Sequence, residues 1–208
     1  MGEASHVKRF APTFALLLAL SLLFPGGVQA SSDNTSVKFA WHVSDAFIQA
    51  AGEPPQTGSV ARASDSAPFT GHRVRISATG TFNTASKKAT GGGWFVHTDA
   101  SGQVQGFGIF TATKLQSFTL SGCDGGPFPP NFCGGKAVLN VHISGTSTNE
   151  AIGHAEFDGV LTVNCLIGGA PGLEGIMLNI PGLVNFDTTE PSHHGETLFV
   201  TKSHSGDD

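Results

Sequence analysis

The sequence predicts an all-β fold: a single antiparallel β-barrel of about eight strands, with a β-sandwich as the alternative. Short runs that alternate apolar and polar residues, closed by turn residues, recur along the chain. Charged residues make up only 13% of the sequence, and no amphipathic helical repeat follows the N-terminal leader. Glycines inside predicted strands favour the barrel, because glycine lets a sheet bend and close: Gly80, Gly106, Gly108 and Gly159.

Residues 1–30 predict a cleaved secretory signal peptide. Lys8 and Arg9 precede an apolar run, and Val28 and Ala30 occupy the positions that a signal peptidase favours before its cleavage site. The apolar run is shorter than the roughly 20 residues that a membrane-spanning helix needs. We therefore expect a secreted or periplasmic protein with no membrane span after cleavage.

We expect residues 31–208 to form one β-rich domain, with a disordered polar tail at 203–208. Without the charged residues of the leader, nine basic and fifteen acidic side chains remain, a net charge of −6. Nucleic-acid binding requires a clustered basic face, and the only close basic pairs are Arg73 with Arg75 and Lys87 with Lys88. We expect no nucleic-acid partner.

The predicted strands follow one another with short connections. In the first, Val37, Phe39, Trp41 and Val43 alternate with more polar neighbours and so lie on one face. Turn residues such as those in DASG separate the strands. The strand-forming stretches, in chain order, are SVKFAWHV, HRVRISATGTF, GGGWFVHTD, QVQGFGIFTATKLQSFTL, KAVLNVHISG, GHAEFDGVLTVNC, IMLNIPGLVNF and ETLFV.

The three cysteines predict one disulfide bond and one free thiol. Cys123 and Cys133 bracket DGGPFPPNF, a loop rich in glycine and proline that a covalent link would hold in place. Export to an oxidising compartment permits such a bond. Cys165 lies on the apolar side of its predicted strand, so we interpret it as a small buried hydrophobic residue.

The parity of apolar side chains constrains one hairpin, residues 136–158. In both of its strands the odd-numbered residues are apolar. Cross-strand partners share a face, so odd residues pair with odd ones and the loop has an odd number of residues. A three-residue loop at 147–149 satisfies this condition. It predicts that His142 faces His154, Asn140 faces Glu156, and Val138 faces Asp158.

That register predicts a candidate site for a divalent metal such as zinc, formed by His142, His154 and Glu156 with Asn140 and Asp158 beside it. Alternatively, Glu156 acts as a base and a histidine as an acid. A third interpretation is that this polar row is simply the solvated face of an antiparallel sheet. No HExxH motif or CxxC pair supports a metal.

Other motifs for catalysis are missing or weak. His42, His72 and His97 stand singly beside apolar neighbours, and we interpret each as structural. No GxSxG nucleophile elbow occurs, and GFGIF lacks the third glycine of a dinucleotide fingerprint. The paired carboxylates of GHAEFDG suit glycoside cleavage, but the chain has no tyrosine and both Trp41 and Trp94 are predicted to lie in the core.

Seven stretches between Thr79 and Val200 resemble those of a group of secreted bacterial proteins with no assigned activity: TGTFN, GGGWFVHTDASG, LQSFTLSGC, PPNFCGGKA, FDGVLTVNCLIG, EGIMLNIPGLVNF and ETLFV. The resemblance implies a β-rich exported domain and a bond between Cys123 and Cys133, but no function. In size and glycine use the chain is also similar to β-barrels of the allene oxide cyclase or dirigent type, at the level of fold alone.

These observations predict an exported, non-enzymatic binding or structural module with no cofactor and a small apolar ligand as its partner. The first alternative is a metal-binding protein, or a metal-dependent or acid-base enzyme, centred on His142, His154 and Glu156. The second alternative is a cell-surface interaction protein. The sequence leaves the choice among them open.

Overall fold

The described part of the chain contains eleven antiparallel strands and one short α-helix, which confirms the predicted all-β class. The structure is a computed structural model that describes residues 36–51, 57–123, 128–190 and 196–202. The predicted signal peptide and the predicted C-terminal tail lie outside the described residues. No helix in the part of the chain that the structure describes is long and apolar enough to cross a membrane.

The strands exceed the predicted number because three of them have only three or four residues.

Helix α1 (Ala46–Ala50) begins after Asp45, whose carboxylate accepts a hydrogen bond from the backbone N–H of Ile48. A single turn of 3₁₀ helix covers Ile167–Gly169. The strands are β1 (Lys38–Val43), β2 (Ser59–Arg62), β3 (Arg73–Asn83), β4 (Ala89–Thr98), β5 (Val104–Gly122), β6 (Phe132–Ser147), β7 (His154–Cys165), β8 (Gly175–Ile180), β9 (Val184–Phe186), β10 (Thr188–Glu190) and β11 (Thr197–Lys202).

The long strands β3 and β6 organise the sheet, since each pairs with three others. Strand β3 pairs with β1, β2 and β4, and β6 pairs with β5, β7 and β11. Strand β1 also pairs with β11, and β4 with β5. The pairings β1–β3–β4–β5–β6–β11–β1 therefore return to their starting strand. Strands β2 and β10 extend from β3, and strands β7, β8 and β9 extend from β6.

Aromatic side chains fill the inner face of the sheet around β1. Phe39, Phe82, Phe118 and Phe199 contact one another, with ring centroids 4.7 to 5.9 Å apart. Trp41 is fully buried, as predicted, and its indole N–H donates to the carbonyl oxygen of Thr90 at 3.3 Å. Close packing of this kind excludes water and stabilises the fold through apolar burial.

One core prediction is wrong. Trp94 is 42% exposed, because β4 directs Phe95 and His97 toward the inner face and its even-numbered residues outward. Gly80, in contrast, has the close backbone packing expected of a glycine inside a strand. A Cβ there would lie 2.0 Å from the carbonyl oxygen of Thr90 and 2.6 Å from the Trp41 indole nitrogen.

The cysteines have the predicted arrangement. Cys123 and Cys133 are at disulfide-bond distance and link the end of β5 to the start of β6. Cys165 is free, and only 1% of its surface is exposed. Burial raises the pKa of the Cys165 thiol to about 12, so the thiol stays protonated at neutral pH and is a poor nucleophile.

Candidate functional site

The β6–β7 hairpin confirms the predicted parity but not the predicted register. His142 lies opposite Asp158, not His154; Ser144 lies opposite Glu156, and Thr146 lies opposite His154. The predicted pairs of Asn140 with Glu156 and of Val138 with Asp158 are wrong as well, since these residues lie opposite Val160 and Thr162. Even-numbered residues still share the outer face.

The register differs because the connection is longer than the predicted three residues. Strand β6 continues to Ser147 and β7 begins at His154. The backbone N–H of Ser147 donates to the carbonyl oxygen of Gly153 at 2.8 Å. Inside the turn, the carbonyl oxygen of Asn149 accepts from the N–H groups of Ile152 and Gly153, and its side chain accepts from the N–H of Ala151.

Four ionisable side chains of the predicted site nevertheless meet on the outer face of this hairpin. Nδ1 of His142 lies 3.0 Å from a carboxylate oxygen of Asp158, and its Nε2 lies 3.8 Å from Glu156. Nε2 of His154 lies 3.6 Å from the other oxygen of Glu156. Glu156 thus stands between the two imidazoles. The hydrogen bond with Asp158 raises the pKa of His142. Asn140 does not join them and instead accepts a hydrogen bond from Gln116.

This network is open to water, as the 92% exposure of the Asp158 side chain illustrates. In residues 36–51, 57–123, 128–190 and 196–202, no three His, Cys, Asp or Glu side chains are arranged to hold a metal ion. Exposed ion pairs of this kind contribute little to stability, because water and salt screen them.

The inner face of the same hairpin lines a cavity of about 320 Å³. Aliphatic and aromatic side chains from β3 to β9 form most of its surface. Among them are Ile76, Phe110, Val141, Ile143, Leu161 and Leu178. The parity that places the ionisable residues outside therefore places an apolar row inside.

Small residues lie side by side on three adjacent strands and make room for the ring of Phe95, which lines the cavity. Gly108 on β5 pairs with Gly145 on β6, and Gly145 pairs with Ala155 on β7. The ring of Phe95 lies over both glycines: a Cβ would be 2.9 Å from a ring atom at Gly108 and 2.7 Å from one at Gly145. Larger side chains along this row would displace the ring and fill the cavity.

The mouth of the cavity carries exposed hydrophobic side chains. Ile152 in the β6–β7 turn is 61% exposed, and Leu183 in the β8–β9 turn is 40% exposed. Phe157 on β7 completes this group at 37% exposure. Contiguous exposed apolar surface is typical of ligand-binding and interaction sites.

Two histidines supply ring nitrogens to this otherwise apolar space. Nδ1 of His72 and Nε2 of His97 are hydrogen-bonded at 3.0 Å, and both rings line the cavity. Phe69 packs edge-on against His72 with centroids 5.3 Å apart, and Phe186 packs edge-on against His97 at 5.6 Å. Burial, reinforced by the neighbouring His72, lowers the pKa of His97 to about 4, so this imidazole is uncharged at neutral pH.

The sequence interpretation missed this pair because it treated each histidine singly. In the β3–β4 hairpin Val74 pairs with His97, so His72, two residues earlier, lies diagonally across from His97. The β3–β4 register would have revealed the pair, because it places His72 beside His97 on the face of β4 that also carries Phe95. His42, in contrast, contacts Asp45 at 2.6 Å and stacks on Phe47, as expected of a structural histidine.

No protein-family model, no curated protein and no solved structure matches this chain. A functional proposal must therefore come from the chemistry of the outer network and of the inner cavity.

Proposed function

We propose that the protein is a non-enzymatic binding protein that holds a small apolar ligand in the cavity formed by β3 to β9. The observation that carries the proposal is a space of about 320 Å³ lined mostly by apolar side chains. Small-molecule sites typically occupy roughly 300 to 1,000 Å³ and combine an apolar lining with a few placed polar groups. The cavity has this composition, and its mouth carries exposed hydrophobic residues.

The proposal includes a closed barrel. The circuit of paired strands from β1 through β3, β4, β5, β6 and β11 supports closure around the aromatic cluster. Around the cavity, the hydroxyl group of Thr189 on β10 donates to the carbonyl oxygen of Ile176 on β8 at 2.7 Å, which brings the two ends of the sheet together. A small closed barrel either fills its interior with side chains or holds one small ligand.

Apolar surface at the mouth is in contact with water, and covering it would favour ligand binding. Removing apolar surface from water contributes about 25 cal/mol per Å². A cavity that exists before binding also loses little conformational entropy when the ligand enters. An apolar molecule that covered Ile152, Phe157 and Leu183 would therefore gain affinity from each of them.

The same proposal places the protein outside the cytoplasm. A bond between Cys123 and Cys133 persists in an oxidising compartment, and the predicted leader at residues 1–30 would direct export. An exported carrier would encounter small apolar molecules either in the periplasm or in the surroundings of the cell.

The substitution Ala155→Phe tests the binding function. Ala155 lines the cavity at the end of the row of small residues, so a phenyl ring there should occupy the ligand's space. We expect the uncharged fluorophore N-phenylnaphthylamine to bind the wild-type protein, and its affinity to fall at least about tenfold in the variant, the loss of roughly 1.4 kcal/mol of apolar contact.

Ala85→Phe is the matched control, because Ala85 is exposed in the turn after β3, away from the cavity lining. Fluorescence titration should give this control the wild-type affinity, and circular dichroism should give all three proteins the same β spectrum. Equal affinity of folded Ala155→Phe and wild-type protein, or no binding to wild-type protein, would show that the cavity is not the binding site.

A further inference from the structure

Strand β7 has an open edge at residues 154–158. Strand β6 pairs along the whole of β7, whereas the pairing of β7 with β8 begins only at Val160. Continuing the β7–β8 register would place Pro181 opposite Asp158. Proline has no N–H group to donate, and the chain turns away at residues 181–183. Residues 154–158 therefore pair with a strand on one side only.

The hydrogen bonds of the hairpin show which backbone groups face this open edge. The N–H of Ser147 donates to the carbonyl oxygen of Gly153, so these two residues form a hydrogen-bonded pair. Such pairs alternate along an antiparallel ladder, so odd-numbered residues of β7 bond to β6 and even-numbered ones direct their N–H and C=O groups away from it. Within the described residues, these backbone groups of His154, Glu156 and Asp158 have no hydrogen-bond partner.

The two sides of the open edge differ in chemistry. On the outer face lie the carboxylates of Glu156 and Asp158, and on the inner face lies the apolar mouth of the cavity with Phe157 and Leu183. The Asp158 side chain is 92% exposed and Phe157 is 37% exposed. In the described part of the chain, the space beside the edge is therefore open on both faces.

A row of unpaired backbone groups is a template for an added strand, and the surfaces on either side select its side chains. Side chains of an added strand alternate between the faces. Those opposite Glu156 and Asp158 would meet carboxylates, which favour Lys or Arg, and those opposite Ala155 and Phe157 would meet the apolar mouth.

We propose that the open edge of β7 binds an extended peptide in which basic and apolar residues alternate. The peptide lies antiparallel to β7, in the place where β8 would continue. Its basic side chains lie beside Glu156 and Asp158, and its apolar side chains cover the mouth of the cavity. This site lies beside the cavity and does not require that the cavity hold a small ligand.

A second copy of the chain fits the same edge less well. Two β7 edges paired antiparallel and centred on Glu156 would place two Glu156 carboxylates directly opposite each other. Like charges in directly opposed positions destabilise a sheet, whereas opposite charges stabilise it. The charge of the edge therefore favours a basic peptide over a second β7 strand.

The capped peptide TKVKVKT tests the proposal in an NMR titration at neutral pH. It should shift the amide resonances of His154, Glu156 and Asp158 and slow their hydrogen exchange. TKSKSKT lacks the apolar side chains and TEVEVET reverses the charge, so each should bind at least about tenfold more weakly. No binding of TKVKVKT, or equal binding of all three peptides, would overturn the proposal.

Methylated peptides separate strand addition from nonspecific attraction. In the proposed register the lysine amides face β7 and the valine amides face away. Methylating the nitrogen of the central lysine of TKVKVKT should weaken binding about tenfold or more, because a hydrogen bond is lost and the methyl group meets the edge. Methylating one valine nitrogen is the matched control and should leave the affinity unchanged. Equal affinities of the two methylated peptides would contradict strand addition.

A substitution at Glu156 closes the edge. In Glu156→Pro the ring occupies the open side without removing a hydrogen bond to β6, as proline does on edge strands, and binding of TKVKVKT should be lost. Glu156→Gln keeps the edge and loses one charge, so it should weaken binding only about two- to fivefold. Unchanged affinity in folded Glu156→Pro would overturn the proposal; if this variant does not fold, the methylated peptides decide.

Light scattering distinguishes the other occupant. The wild-type protein should be a monomer that leaves the edge free for the peptide. A wild-type dimer that Glu156→Pro converts to a monomer would show that a second copy covers the edge, and the peptide assignment would be wrong.

Discussion

The surroundings of His142 and His97 shift the pKa values of these two histidines in opposite directions. The hydrogen bond that Asp158 accepts raises the pKa of His142 at the outer face, whereas burial lowers the pKa of His97 to about 4 beside the cavity. A nearby carboxylate favours the imidazolium form and a low dielectric disfavours it. His142 therefore becomes cationic before His97 as the pH falls.

The first prediction concerns Asp158. Replacing it by asparagine removes the charge that favours protonated His142, so the pKa of His142 should fall toward its ordinary value, measured by NMR titration of the imidazole resonances. Glu150→Gln, a neutral substitution of an acid outside the network, should leave that pKa unchanged. A pKa of His142 that does not move in Asp158→Asn would mean that this carboxylate does not set its titration.

At the scale of elements, the β6–β7 hairpin separates what a sequence determines from what it does not. Side chains alternate strictly along a strand, so the sequence predicts which residues form the apolar inner row and which form the polar outer row. The alternation repeats every second residue, so it left the loop length, and with it the register, undetermined. Hydrogen bonds around Asn149 fix that length, and the pattern of apolar residues does not depend on them.

Short strands were missed for a related reason. Strands β2 and β10 contain four and three residues, too few to show an alternating pattern. They form because β2 pairs with β3 and β10 pairs with β2. The stretch IMLNIPGLVNF was predicted as one strand, but it turns at residues 181–183 and forms both β8 and β9. Tertiary pairing, not local pattern, decides such elements.

The connection between β5 and β6 carries the second prediction. Cys123 and Cys133 are ten residues apart, so in the chain-entropy model their bond stabilises the fold by about 2 to 3 kcal/mol. The double variant Cys123→Ser, Cys133→Ser should lose that amount of unfolding free energy in urea denaturation. Reductant should destabilise the wild-type protein similarly and leave the variant unaffected. Equal stability of oxidised wild type and variant would contradict the prediction.

At the scale of the whole molecule, two regions of the interior are packed differently. Around β1 the four phenylalanines pack closely. The positions of Phe39 and Phe82 could be predicted because they fall on the apolar side of alternating strands, whereas bulges in β5 interrupt the alternation before Phe118. The cavity could not be predicted, because the Phe95 ring in its wall lies over Gly108 and Gly145, which are adjacent on β5 and β6. That adjacency follows from the β5–β6 register, which the sequence left undetermined.

Hydrogen exchange should detect this difference in packing. Strand β1 is hydrogen-bonded on both edges, to β3 and β11, and holds fully buried Trp41. Among the described strands, β9 has three residues, pairs only with β8, and lines the cavity through Val184 and Phe186. Amides of β1 should exchange only through global unfolding, whereas those of β9 should also exchange through local opening, and therefore faster.

A bound ligand should suppress local opening in β9 but not in β1. N-phenylnaphthylamine in the cavity would contact β9 and oppose its local opening, so deuterium uptake measured by mass spectrometry should slow in β9 peptides. In β1 peptides, uptake should slow only by as much as the ligand stabilises the whole fold. In Ala155→Phe the probe should leave β9 unchanged. If β9 were as protected as β1 without ligand, or equally insensitive to the probe in the wild-type protein, the cavity would not be an independently opening part of the molecule.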